Sequence, residues 1–103
     1  MLTLAIGADN LIRWDEMDLA SNGVTVNDAV TSFVLKDAAN APVPGGSASM
    51  PYVPASAGRY DGILLYSVAL TDQATYFLEL TGISGAARGF RRIECVAAYQ
   101  DED

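Results

Sequence analysis

Three arginines fall within five residues, Arg88, Arg91 and Arg92, and a guanidinium presents paired donors that match a carboxylate or phosphate. The chemistry open to such a cluster is anion recognition. In a chain with thirteen acids against six bases, the simpler expectation is pairing with Glu79 or Glu94 on neighbouring strands, or with another subunit. Asp15, Glu16 and Asp18 could offer oxygen ligands to a hard cation such as Ca²⁺. The spacing of an EF-hand loop and its sharply turning glycine are missing, so a solvated acidic loop is expected there. Cys95, the single cysteine, would be reactive only beside positive charge that lowers its pKa. Its strand parity, shared with Ile93 and Ala97, predicts a buried and inert thiol instead.

The chain contains no histidine, which removes the commonest general base and the commonest metal ligand at neutral pH. Neither Cys95 nor any serine has a partner base of that kind. No catalytic, cofactor-binding or metal site is therefore expected, and a small-molecule ligand is not expected. An enzyme would need convergent acids in a pocket, because no other acid–base groups are present. The aromatics Trp14, Tyr52, Tyr60, Tyr66 and Tyr99 could line a sugar-stacking surface, but most sit at inward positions where large rings fill a core. Phe77 differs, since it falls on the outward face of a regular strand. An exposed Phe77 beside Val34 would mark an interface with a subunit or partner; the alternative is that a loop covers it.

The formal charge of −7 opposes the phosphate backbone of nucleic acid, which attracts cationic surfaces. Nucleic acid is set aside as a partner. One cysteine cannot form an intrachain disulfide, so nothing points to an oxidising compartment. The first residues, MLTLAIGADN, lack a basic flank, and their apolar run stops at Gly7, too soon for a signal peptide or a membrane span. A soluble product, cytoplasmic when synthesised and without a membrane partner, is expected.

The elements that must position these residues read as strands. The chain's 103 residues suit a single domain with one core, closed by the solvated acidic tail 101–103. Thr3 to Ile6 forms a first strand at an edge, and Leu11 to Leu19 a strand fading into a loop. The turn signal Ser21-Asn22-Gly23 leads to Val24 and Val26, and Asn27-Asp28 breaks that run. From Ala29, Thr31, Phe33 and Leu35 share one face against Ser32, Val34 and Lys36 on the other. Asp37 to Asn40 is a turn, and Ala41 to Gly46 is no central strand, since neither proline can donate to a ladder, and its glycines favour an open connection. Ala48, Met50 and Tyr52 share a face in a short edge run interrupted by Pro51 and ended by Pro54.

After a turn at Ala55 to Gly58, Tyr60, Gly62 and Leu64 point one way and Arg59, Asp61 and Ile63 the other. Tyr76, Leu78 and Leu80 point inward from the strand beginning at Thr75, with Phe77, Glu79 and Thr81 outward. Gly82 to Gly89 reads as a flexible connection. Phe90 to Tyr99 is the last strand, with Ile93, Cys95, Ala97 and Tyr99 inward. No segment carries a helical apolar stripe. About seven short antiparallel strands punctuated by Gly, Pro and Asn predict an all-β, Ig-like Greek-key sandwich with little or no helix. Within it, Tyr60, Gly62, Leu70 and Tyr76 are the structural fasteners, and Tyr76 is expected to hydrogen-bond backbone near Leu70.

Several of these features together resemble a family. Asn27-Asp28-Ala29 before a strand, Leu35-Lys36-Asp37 with Pro42-Val43 and Gly45 after it, Gly58-x-Tyr60-x-Gly62-x-Leu64, Leu70, Tyr76, and Arg88, Phe90 and Arg92 resemble the Ig-like modules of bacteria and phages. The whole chain looks like small prophage-encoded proteins found among virion structural genes. Asn40 and Gln73 stand where that pattern usually has glycine. The resemblance implies a non-enzymatic structural or assembly module that self-associates or docks onto a larger particle, incorporated in a virion. The alternative is a carbohydrate- or peptide-binding module of a mobile element.

Overall fold

In a computed structural model of the chain, the described residues are 2–14, 29–55, 58–85 and 87–99. They form seven strands: β1 Leu2–Ala5, β2 Asn10–Trp14, β3 Val30–Asp37, β4 Pro42–Ser49, β5 Tyr60–Leu64, β6 Thr75–Ser84 and β7 Ala87–Ala98. No helix occurs among the described residues, so the chain is all-β. The segment holding Asp15, Glu16, Asp18, Val24 and Val26, and the 101–103 tail, lie outside them.

Two sheets enclose one core. The larger has the strand order β1-β7-β6-β3-β4, and β2 pairs with β5 in the smaller. Period-two alternation assigns the faces, since successive side chains of a strand point to opposite sides. From β3, Thr31, Phe33 and Leu35 are buried; from β5, Tyr60 and Leu64; from β6, Tyr76, Leu78 and Leu80; from β7, Cys95 and Ala97. Ile12 and Trp14 of β2 close the core from the smaller sheet. The Thr31 hydroxyl donates to the Met50 carbonyl, satisfying the one polar side chain in this apolar set.

Four expectations are corrected. β1 lies at a sheet edge, but it pairs parallel to β7, with Leu2 opposite Cys95 and Ala5 opposite Ala98. The strands are thus not all antiparallel: β1 approaches β7 from the far side of its hairpin with β6, where chain direction is unconstrained by a turn. Pro42 to Gly46 belongs to strand β4, not to an open connection. β4 is an edge strand, where a proline's missing N–H can face outward. The pairing register shifts between Val34, opposite Ser47, and Lys36, opposite Pro42, and Gly45 takes φ 74 in the intervening bulge.

The Gly82 to Gly89 stretch is also no loop. The β6–β7 ladder runs through Gly82 opposite Gly89 to Ser84 opposite Ala87, and the chain turns at Gly85 (φ 59). The two glycines face one another, so neither interrupts the neighbour's pairing. Tyr99, expected inside, is 67% exposed, because it lies beyond the last pairs of β7, Val96 with β6 and Ala98 with β1.

Between Ser49 and Tyr52 the chain changes sheets. The Met50 N–H still donates to Thr31 O of β3 (2.8 Å), whereas the next bonds, Asp61 N to Pro51 O (3.2 Å) and Val53 N to Arg59 O (2.9 Å), reach toward β5. Tyr52 bridges to Tyr60, their ring centroids 5.6 Å apart and tilted by 58°, a favourable aromatic arrangement. Gly62 is the close-approach point of this crossing. A Cβ there would lie 2.9 Å from Met50 Cγ, 3.0 Å from Ser49 O and 3.1 Å from Phe33 Cε2.

Candidate interaction surface

The outer face of the larger sheet is built by the residues that alternate with the core positions. Register sets their neighbours: Lys36 is opposite Phe77, Val34 opposite Glu79 and Val30 opposite Ile83. On the other side of β6, Phe77 is opposite Glu94, Glu79 opposite Arg92, Thr81 opposite Phe90 and Ile83 opposite Arg88. Directly opposed and diagonal side chains on one face touch. The face therefore has a charged upper part and an apolar lower stripe.

In the upper part, the Glu79 carboxylate lies between Lys36 Nζ (2.9 Å) and Arg92 Nε (3.8 Å). Exposed ion pairs of this kind contribute little each, but here they orient Arg92. Its guanidinium lies over the Phe77 ring, 4.2 Å from the centroid, within cation–π range. Phe77 and Val34 are both half-buried rather than bare, and the outward Phe77 is covered by an arginine.

The lower stripe crosses three strands. Val30 is 76% exposed, Ile83 40% and Phe90 60%. Phe90 is diagonal to Ile83, and Val30 is directly across from it. Reading Gly82 to Gly89 as a loop hides this stripe. The available signal was that Thr81 and Ile83 continue the parity of Phe77 and Glu79 without a break.

The three arginines do not converge. Arg88 and Arg92 project on the outer face, whereas Arg91, opposite Leu80, projects on the other side. There it lines a cleft of about 360 Å³ with Leu2, Leu11, Ile12, Arg13 and Ile93. One side chain in three faces away, so no single anion can meet all of them. Of the other fasteners, the Tyr60 hydroxyl accepts from Ala29 N–H (3.1 Å), the Tyr76 hydroxyl accepts from Thr71 N–H (2.8 Å), and Leu70 packs half-buried against the core.

A second, larger cleft of about 510 Å³ opens beside the β3–β4 turn, with Asp37, Pro42, Pro44, Thr71 and Tyr76 in its wall. Its carboxylate is engaged: Asp37 Oδ1 accepts from the N–H groups of Ala39 (2.9 Å) and Ala41 (3.0 Å). Cys95 is fully buried, its thiol donates to Ile93 O (3.4 Å), and burial pushes its pKa from 9.0 to about 11. A thiol held neutral in this way is a poor nucleophile. Among the described residues, no three His, Cys, Asp or Glu side chains come together as a metal site. No helix among them is long and apolar enough to cross a membrane. No family model, curated protein or solved structure matches the chain.

Proposed function

We propose that this chain is an Ig-like Greek-key sandwich that serves as a non-enzymatic structural or assembly module, working by docking to protein, including further copies of itself. The observation that carries the reading is the Val30, Ile83 and Phe90 stripe on the outer face of the larger sheet. Three adjacent exposed apolar side chains beside a charged patch have the character of an interface centre with a polar rim. The Ig-like assignment is supported by the split of strands. β7, β6, β3 and β4 lie together against β2 and β5, in the manner of a variable-type sandwich. Tyr76 at the start of β6, bonded to backbone upstream, adds to it.

The phage setting, with incorporation in a virion, rests on the resemblance of the turn-flanked strands to prophage-encoded modules. A non-enzymatic role is favoured by the engagement of Asp37 in its turn and by the buried, neutral Cys95. The carbohydrate alternative finds less support: Tyr66 and Tyr99 are exposed, but Trp14 and Tyr60 are buried, and neither cleft described above is lined by an exposed aromatic ring.

Sedimentation velocity over a range reaching high micromolar concentration tests the self-associating form. Growth of mass with concentration is expected, reduced in a Phe90→Glu, Ile83→Lys variant whose melting temperature is unchanged. A monomer throughout, for the native chain, would overturn self-association.

A further inference from the structure

β7 is much longer than its neighbour β1. The latter covers only Cys95 to Ala98, so among the described residues no strand pairs with Ala87 to Glu94 on the side away from β6. The direction of the backbone groups is fixed by the bonds of Ala97, whose N–H donates to Ala74 O and whose carbonyl accepts from Gln73 N–H, both toward β6. Ala98 points the other way, its carbonyl accepting from Ile6 N–H of the segment after β1. Through the regular β6–β7 register, Arg88, Phe90 and Arg92 therefore direct N–H and C=O outward along an open edge. Such an edge is a template for another strand.

Two features of the edge select what can add. Its side chains are cationic: Arg88 and Arg92 on the outer face and Arg91 on the inner are half of the six bases in a chain of net charge −7. Arg88 and Arg91 have no ion pair among the described residues, and all three arginines are exposed. The cleft of about 360 Å³ lies beside the same edge, walled by Leu2, Leu11 and Ile93, where a strand next to β7 would send its inward side chains. A second copy's β7 fits badly. Antiparallel pairing centred on Phe90 sets Arg88 opposite Arg92, and centring on Arg91 sets that residue opposite itself. Like charges directly opposed are unfavourable.

We propose that the open edge of β7, from Arg88 to Arg92, accepts an extended acidic segment of a protein partner as an added strand, with carboxylates over Arg88 and Arg92 on the outer face and a small apolar side chain in the Leu2–Leu11–Ile93 cleft on the inner. Backbone bonds supply the affinity and the alternating side chains the selectivity, as in other strand additions. This rests on the docking reading above and names its partner's chemistry.

The test uses the ¹⁵N-labelled full chain and a short capped peptide alternating aspartate with valine. Titration is expected to shift the amides of Arg88, Phe90 and Arg92 first. Affinity should fall about tenfold or more in the Arg88→Glu, Arg92→Glu variant and decline with added salt. Equal binding of a lysine–valine peptide, or undiminished binding of an aspartate–valine peptide N-methylated at alternate residues, would overturn the proposal. So would protection of those three amides from hydrogen exchange in the isolated chain, or no shifts at millimolar peptide. An edge that stays inert while the chain still self-associates removes this inference and leaves the docking reading intact.

Discussion

The hydroxyl of Tyr76 accepts a hydrogen bond from the backbone N–H of Thr71, 2.8 Å away and five residues upstream. This bond ties the corner before β6 to the first inward ring of that strand, while Ala74 N–H to Thr71 O (3.1 Å) closes the turn between them. Tyr76→Phe keeps the buried ring and removes only the acceptor. A loss of about 1–2 kcal/mol is expected, the range for a hydrogen bond whose partner is left partly buried. Urea denaturation checks it, and an unchanged midpoint would refute a fastening role for the hydroxyl.

Gly62 sits where the chain crosses between sheets. Gly62→Ala must displace Met50, Ser49 carbonyl or the Phe33 ring, since the added Cβ lies within 3.1 Å of atoms of all three. One of these is backbone and one a fully buried ring, so little can yield. The expected destabilisation is about 2–3 kcal/mol, at the upper end for overpacking, read as a fall in melting temperature.

Gln73 adopts φ 65 and Asn40 φ 66, the left-handed region that L side chains enter at a cost of about 1–2 kcal/mol. Among the described residues Gln73 makes no backbone-directed side-chain bond that explains its place; its amide reaches Asp72 Oδ1 (3.1 Å) at the surface. Gln73→Gly should therefore raise stability by about 0.5–1 kcal/mol, after allowing for glycine's greater freedom in the unfolded chain. Asn40→Gly should gain less, because asparagine tolerates this conformation better. Paired thermal melts distinguish the two.

Burial raises the Cys95 pKa from 9.0 to about 11. Below pH 9 the thiol is protonated in both folded and unfolded chains, and the folded state carries no penalty. Between pH 9 and 11 the unfolded thiol ionises while the folded one does not, so stability falls as pH rises, by about 2–3 kcal/mol across the window. Stability measured at intervals over that range should slope downward, and the slope should be shallower in Cys95→Ala. A thiol reagent should label the native protein only as fast as it opens.

How far the sequence could be read depended on whether a feature was local. Thr31, Phe33 and Leu35 against Val34 and Lys36, or Tyr76, Leu78 and Leu80 against Phe77 and Glu79, follow from alternation within one strand, and the buried faces match. The turns at Asn40 and Gln73 are similarly local, and both residues take the positive φ that glycine usually supplies. Proline and glycine misled at Pro42 to Gly46, because whether they disrupt a ladder depends on a neighbour being present on both sides. β4 has a neighbour on one side only.

By itself, then, the sequence determined that the chain is all-β, which face of each regular strand is apolar, and that Cys95 is buried. These rest on period-two alternation and on composition, which are properties of residues near one another. Tertiary structure alone decided that β1 runs parallel to β7 and stops short of its full length, that Arg92 covers Phe77, and that Val30, Ile83 and Phe90 form one stripe. Each of these depends on which strands lie side by side and in what register, and distant segments settle that only when they pack around a shared core.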